Sequence, residues 1–321
     1  MPKIRSLVRA VAALAGALAL QTAYADYQIH QVAVPGATDA QLWGVNNAGT
    51  MVGNATFDGT TQAILVNGGG VSVIAAPLGA QSPTALGVSD SGAVILDYID
   101  GATGLESAAI SQNGTTTSFA VPGTYGVSLR GISADGRFVT GYFYDQDGYM
   151  RGFVDDLTDG KGLYVIPQTG DFMLPGGVNA SGLVVGNRND ELFGTRVPFI
   201  YSLSDGSVVD QPYGGNALVA AYRGINDKGL ISGWVEGSDG STFAIVGSNG
   251  TFETLKVDGA SSTFAYAVND AGLVVGNFIA ADGSTVGAFY ATAVPEPASA
   301  ALLLSGLLLI GARQQRRRRA D

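Results

Sequence analysis

Cysteine is missing from this 321-residue chain, histidine occurs once, and charged side chains make up only 14% of it. Without thiols there is no disulfide and no thiolate metal site, so stability has to come from packing alone. One histidine, His30, cannot build a zinc site without other strong ligands, and its place on the first strand reads as an exposed edge. Basic residues are scarce where they would matter. Of 17, three precede Ala25 and five follow Gly311, leaving nine; of 27 acids, all but Glu296 and Asp321 lie in between, leaving 25. A body so acidic repels phosphate backbones, which argues against nucleic acid as a partner. Solubility is sufficient reason for the charge.

Motifs of covalent and phosphate chemistry are absent too. Gly131-Ile132-Ser133-Ala134-Asp135 and Gly87-Val88-Ser89-Asp90-Ser91 place Asp or Ser where a nucleophile elbow needs its last glycine. The expectation is therefore no enzyme, no catalytic residue, no cofactor and no metal. Asp145-Gln146-Asp147-Gly148 and Asp155-Asp156 could donate oxygens to calcium, but the first is also the Asp-Gly turn found in other parts of the chain.

What the chain has instead is repetition. Gly44-Val45-Asn46-Asn47-Ala48-Gly49 recurs as Gly87-Val88-Ser89-Asp90-Ser91-Gly92, Gly131-Ile132-Ser133-Ala134-Asp135-Gly136, Gly177-Val178-Asn179-Ala180-Ser181-Gly182, Gly224-Ile225-Asn226-Asp227-Lys228-Gly229 and Ala267-Val268-Asn269-Asp270-Ala271-Gly272. The second glycines stand at 49, 92, 136, 182, 229 and 272, a period in the forties that marks stacked or radially arranged supersecondary units. Each copy reads as a tight turn, with Asn or Ser bonding its own backbone and Gly supplying positive φ. Short β-branched runs such as Val94-Ile95-Leu96 and Leu273-Val274-Val275 follow, which read as strands.

Four strands are expected per period, joined by the Asn-x-x-Gly turn, an Asp-Gly turn (Asp58-Gly59, Asp147-Gly148, Asp239-Gly240, Asp282-Gly283) and a third turn at Asn67-Gly68, Asn113-Gly114, Asp205-Gly206 and Asn249-Gly250. Residues 27–36 resemble a unit-ending strand, whereas the last unit stops after its third strand. A spare strand at one end and a missing one at the other fit a closed ring, which also removes exposed edges. The expected architecture is all-β: a six-bladed β-propeller of four-stranded antiparallel blades closed by the N-terminal strand, with an open β-solenoid as the alternative.

The flanks read differently. Residues 1–25 combine Lys3, Arg5 and Arg9 with an apolar middle and Ala23-Tyr24-Ala25, the pattern of a cleavable signal peptide with its cleavage residues at Ala23 and Ala25. The body would span 26–293. Residues 294–321 hold Val294, Pro295, Glu296 and Pro297, an apolar run read as a transmembrane helix, and a basic end with Arg313, Arg316, Arg317, Arg318 and Arg319 that would stay on the cytoplasmic side.

On these residues the tail resembles the PEP-CTERM sorting signal of Gram-negative bacteria, with Pro-Glu-Pro at 295–297. The repeats are similar to the extracellular HAF family, through the cores at 177–187 and 267–277 and the strand Gly287-Ala288-Phe289-Tyr290; the histidine that names that family is absent from all six units. The resemblance implies secretion machinery and the membrane-embedded peptidase exosortase as partners. It also implies a membrane-anchored precursor that ends on the cell surface or in the matrix, and a link to exopolysaccharide and biofilm. It brings no catalytic residue.

The expected function is thus an exosortase-sorted repeat protein that binds or supports the matrix; the alternative is an exported propeller hydrolase acting on polysaccharide. Candidates for ligand contact are the repeated Asn46, Asn179, Asn226 and Asn269, whose turn-making role is already sufficient reason for them. Trp43, Tyr142, Tyr144, Tyr149, Tyr213 and Trp234 could stack on sugars or fill the core.

Overall fold

Each Asn-x-x-Gly copy closes as a turn held at three points. In the first, Gly49 N–H donates to the Asn46 carbonyl (3.0 Å), Asn46 N–H donates to the Thr50 carbonyl (3.0 Å), and Thr50 N–H donates to Asn46 Oδ1 (2.9 Å). The glycine stands at φ 78°, where a side chain would be strained. The Asp58-Gly59, Asn113-Gly114 and Asn249-Gly250 turns have positive φ at both residues, the hairpin geometry whose twist matches that of the strands it joins.

The computed structural model describes residues 27–168, 172–189, 196–211, 213 and 219–294. The expected signal peptide lies outside them, as does the expected sorting signal except for Val294, which is exposed. Among the described residues every regular element is a strand. After β1 (Tyr27–Val32), the first repeat forms β2 (Asp39–Val45), β3 (Met51–Phe57), β4 (Thr60–Asn67) and β5 (Gly70–Val73); the second forms β6 (Ala80–Val88), β7 (Val94–Asp100), β8 (Glu106–Gln112) and β9 (Thr115–Phe119). The third forms β10 (Val127–Ile132), β11 (Phe138–Tyr144), β12 (Met150–Asp156) and β13 (Leu163–Val165), and the fourth forms β14 (Met173–Val178), β15 (Leu183–Asn189), β16 (Arg196–Ser202) and β17 (Val208–Asp210). Each of these four repeats is an isolated four-stranded antiparallel sheet.

The expectation of six separate sheets needs correction at this point. The fifth repeat, β18 (Val219–Ile225), β19 (Ile231–Glu236), β20 (Thr242–Ser248) and β21 (Thr251–Leu255), shares one eight-stranded sheet with β22 (Ala260–Val268), β23 (Val274–Ala280), β24 (Val286–Ala293) and β1. The cause is local. The outer end of β22, bulged between Ala260 and Ser262, runs beside the start of β20 and makes one parallel pairing, Thr242 with Ser262. The spare N-terminal strand does take the place expected for it, next to β24.

The arrangement is a β-propeller. The innermost strands β2, β6, β10, β14, β18 and β22 follow one another round an axis, and the circuit closes where Asn269 Nδ2 donates to the Asn46 carbonyl (2.9 Å) and Leu42 N–H donates to Asn277 Oδ1 (2.8 Å). An open solenoid would leave these ends apart. Apolar packing lies between successive sheets: Leu42 and Ile64 sit against Val275 and Ala288, Val52 against Ala85 and Leu96, Leu86 and Ile95 against Leu129 and Phe153, Phe138 and Val154 against Val184 and Phe199, and Val185 against Tyr222 and Ile245. Burial of each such side chain stabilises by roughly 1.5–3 kcal/mol, so the contacts between sheets supply the stability that disulfides do not.

Candidate functional site

The repeat signature has a second consequence at the axis. The inner strands approach so closely that a Cβ at Gly44 would lie 2.7 Å from the Gly87 Cα, and one at Gly177 2.9 Å from the Gly224 Cα. Opposite them, a Cβ at Gly53, Gly141, Gly233 or Gly276 would lie about 2 Å from a carbonyl oxygen of the inner strand. Those carbonyls sit beside a register shift that every inner strand makes at the same place, for example between Leu42 and Gly44, Leu129 and Gly131, or Tyr222 and Gly224. A bulge leaves one residue out of the ladder and re-aims its side chain. Here the re-aimed residues are Trp43, Leu86, Arg130, Gly176, Arg223 and Tyr266, each just before the first position of the repeated turn.

Five of these six line a cavity of about 70 Å³ on the axis, together with turn residues that include Asn47, Asp227 and Asp270. It is far smaller than the several hundred Å³ of a typical pocket for a drug-sized ligand. Trp43 and Tyr266 lean on each other with ring centres 4.3 Å apart, and Trp43 Nε1 donates to Asn54 Oδ1 (2.7 Å). The guanidinium of Arg130 donates to the Tyr142 hydroxyl (2.8 Å), which in turn donates to Glu106 (2.8 Å). Burial alone would lower the affinity of Arg130 for its proton, but Tyr142, Asp97 and Glu106 together hold it above the ordinary value. Burial pushes Tyr142 up to about 12. Arg223 Nε is enclosed without a partner; burial first, then the positive charges of Arg130 and Arg196, push the guanidinium down to about 10, while Tyr266 opposes the fall.

Beside this group, burial pushes the Asp97 carboxyl up to about 7; Arg130 opposes the rise and Glu106 adds to it. A carboxyl raised in the folded state binds more protons folded than unfolded, so stability is greatest at low pH and falls as pH rises from about 4 through about 7. The melting temperature should be higher at pH 5.5 than at pH 8 by several degrees, and Asp97→Asn should remove most of that slope. A flat profile between pH 5 and 8, or an equal slope in the variant, would show that Asp97 does not titrate there. The carboxylates held low, such as Asp282 at about 2 through its bonds to the Thr285 and Ser284 N–H groups, lose their contribution only at more acid pH.

The repeated asparagines have their amides committed. Oδ1 of Asn179, Asn226 and Asn269 accepts from the backbone of its own turn, while Nδ2 of Asn179 donates to the Asn226 carbonyl and Nδ2 of Asn226 to the Asn269 carbonyl. They pin each turn to the next rather than facing a ligand. The second and third repeats carry Ser89 and Ser133, whose hydroxyls bond only within their own turns.

Other candidates disperse. Tyr144 packs edge-on to Tyr142, Tyr213 lies against Phe252, Tyr149 is exposed, and Trp234 is buried between Phe264 and the Arg196 guanidinium. Asp145 accepts from Arg151 and from its own turn, and Asp156 accepts from Arg137 and Thr158. Among the described residues no group of three or more His, Asp or Glu stands close enough to hold a metal. His30, expected as an exposed edge residue, is half-buried and stacked on Tyr290 at 4.8 Å, because β24 runs alongside it.

Arg130, Arg223, Tyr266 and Asp97 are not among the residues that the sequence motifs mark. A signal existed: the position before the repeated turn is occupied by Trp, Leu, Arg, Gly, Arg and Tyr in succession, within units that are otherwise closely alike.

No protein-family model matches the chain, and no curated protein matches it. Solved structures do. A TolB candidate from Agrobacterium tumefaciens is similar with a TM-score of 0.54 at 12% identity, over 85% of this chain and 99% of that one. The SapL1 lectin, solved in complex with alpha methyl fucoside, gives 0.51 at 13% over 82% and 99%. TolB from Acinetobacter baumannii gives 0.50 at 13% over 79% of this chain; the chain spans 63% of that protein's length. At such identity the likeness concerns the fold alone.

Proposed function

We propose that this chain is an exported, exosortase-sorted β-propeller of the cell surface or extracellular matrix, which binds rather than catalyses and is associated with exopolysaccharide. In this reading the eight-stranded sheet counts as two blades joined by the single Thr242–Ser262 pairing, which makes six blades round the axis. The observation that carries the binding role is the lining of the axial cavity. Its carboxylates, Asp227 and Asp270, accept the backbone N–H of Ala180 (2.7 Å) and of Asp227 (3.0 Å), so they serve the ring and are not poised as an acid and a base. Export and sorting rest on the leader and tail sequences, and sugar binding is a role this fold serves in SapL1.

The alternative, a propeller hydrolase, has one observation in its favour. Asp97 beside Glu106 pairs a carboxyl raised to about 7 with a second acid, the environment of a general acid. Asp97 Oδ1 is enclosed by protein, however, and Asp97 does not line the cavity.

Glycan-array binding together with turnover assays on the secreted protein separates the two readings: binding without turnover is expected, and hydrolysis of any bound glycan would overturn the non-catalytic role. Sorting is tested by mass spectrometry of the extracellular fraction. Mature protein should lack residues 1–25 and the apolar tail. Peptides running from Pro297 into Leu302 in mature surface protein would instead mark a permanent anchor.

A further inference from the structure

The body holds nine basic residues against its 25 acids, and most of the nine are spoken for. Arg137, Arg151, Lys161 and Arg188 form ion pairs with Asp156, Asp145, Asp159 and Asp210, and Lys256 lies over the Phe243 ring. Arg130, Arg196 and Arg223 are different. They stand near enough to one another that Arg130 and Arg196 depress the proton affinity of Arg223, and both Arg130 and Arg223 line the axial cavity. Each has an Nε–H that is enclosed and without a partner. Arg130 is partly neutralised by Glu106 at 3.4 Å, while Arg223 forms no ion pair among the described residues.

A guanidinium is charged at any physiological pH, and enclosing one without a counter-charge is costly unless something else supplies it. In a chain so rich in acids, none among the described residues forms an ion pair with Arg223. The cavity it lines, at about 70 Å³, suits a small group better than a whole saccharide. Gly176 lets β14 lie tight against β18 here, since a Cβ on it would come within 2.6 Å of the Arg223 carbonyl oxygen. Trp43 and Tyr266 provide an aromatic wall of the cavity. Asp227 and Asp270, which also line the cavity, oppose anions, more strongly so a doubly charged one.

We propose that the axial cavity is a binding site for a carboxylate group, taken end-on by the Arg223 guanidinium with Arg130 beside it, on a ligand whose body stays at the mouth near Trp43 and Tyr266. For the exopolysaccharide reading above, on which this extension rests, the ligand class is a uronate-type acidic sugar and not a neutral one.

The two tryptophans of the chain, Trp43 in the cavity wall and Trp234 under Arg196, make intrinsic fluorescence a local probe. The full-length chain is titrated with glucuronate, acetate, inorganic phosphate and, at matched ionic strength, sodium chloride. Saturable quenching or enhancement is expected for glucuronate and acetate, weaker for phosphate, and none for chloride. Arg223→Gln should lower glucuronate affinity about tenfold or more, Arg223→Lys should keep a weakened response, and Arg188→Gln, which removes a surface ion pair, should leave it unchanged. Without ligand, Arg223→Gln should melt no lower than the parent, since it removes an unpaired charge; a structural arginine would destabilise on removal. If Arg223→Gln does not fold, Arg223→Lys and the parent titrations decide. The proposal falls if neither carboxylate gives more than the chloride response, if phosphate binds more tightly than both carboxylates, or if the position-223 variants bind as the parent does. Acidic glycans that bind equally well to Arg223→Gln would overturn this site but leave the exopolysaccharide reading standing; acetate binding with no glycan binding would do the reverse.

Discussion

Gly276→Val should destabilise the propeller by about 3 kcal/mol or more, within the range for overpacked core positions. A Cβ at Gly276 would lie 2.0 Å from the Phe264 carbonyl oxygen and 2.7 Å from the ring of Phe289. Neither neighbour can retreat. The carbonyl belongs to β22, whose pairing with β23 runs from Ala260–Ala280 to Val268–Val274, and Phe289 is fully enclosed. Val also adds two methyl groups beyond the Cβ. For a domain of this size, about 2–4 °C is lost per kcal/mol, so the melting temperature should fall by roughly 6–12 °C. Gly259→Ala is the comparison. Gly259 has φ 75° with nothing near its missing Cβ, so that variant meets only the conformational penalty of about 1 kcal/mol. Equal shifts for the two variants would mean that the close approach at Gly276 is relieved by movement, and that the third glycine of the repeat is not there for space.

That glycine illustrates what could be read without coordinates. The period, the turns and the strands follow from local chemistry: an Asn that caps its own turn, a Gly at positive φ, and a β-branched run leave one reading each. The exchange of β1 into the last repeat was legible as well, since a spare strand and a missing strand can be counted. The reason for the glycine at 53, 141, 186, 233 and 276 was not. It depends on a bulge in the neighbouring strand, and a bulge is a matter of register between segments that sequence spacing does not fix. Leu96 takes the equivalent place in the second repeat, where β6 carries an additional register shift between Gln81 and Thr84.

The candidate site was missed for the same reason. Trp43 stands out in the sequence as an aromatic, but that Arg130, Arg223 and Tyr266 line the same cavity follows only from the bulges before the repeated turns. The asparagines, by contrast, drew attention through their regularity, and that regularity reflects a structural task repeated from unit to unit. Their amides reach the next turn because the sheets are packed side by side, a distance no single repeat encodes. The joining of the last two repeats into one sheet was illegible too, resting as it does on the single Thr242–Ser262 pairing.

Deleting residues 26–35 should cost far more than trimming a terminus does, and how the molecule fails distinguishes two modes of closure. β1 adjoins β24, His30 stacks on Tyr290, and Val34 is buried with Val32 packed in the same cluster as Leu42, Ala288 and Val275. Removing the strand forfeits several backbone hydrogen bonds at about 1 kcal/mol each, and the burial of Val34 besides, against a total stability of about 5–15 kcal/mol. It also bares the edge of β24, a long strand containing Ala288-Phe289-Tyr290 that would then be free to pair with another molecule. Closure does not depend on β1 alone, however. Asn269 still reaches the Asn46 carbonyl, Asp270 N–H still donates to Asn47 Oδ1 (2.8 Å), and Leu42 N–H still donates to Asn277. These bonds join β2 and the turn after it to β23 and the turn after β22, and none of them involves β1. The truncated chain should therefore keep its β-rich circular dichroism at low temperature and its inner ring, yet melt at least about 10 °C earlier and aggregate with rising concentration. Adding a synthetic peptide of residues 26–35 should restore part of the lost melting temperature by re-covering the edge. A truncated protein that melts within about 2 °C of the parent would show that the inner ring alone holds the propeller shut, and that β1 is an ornament on the last sheet.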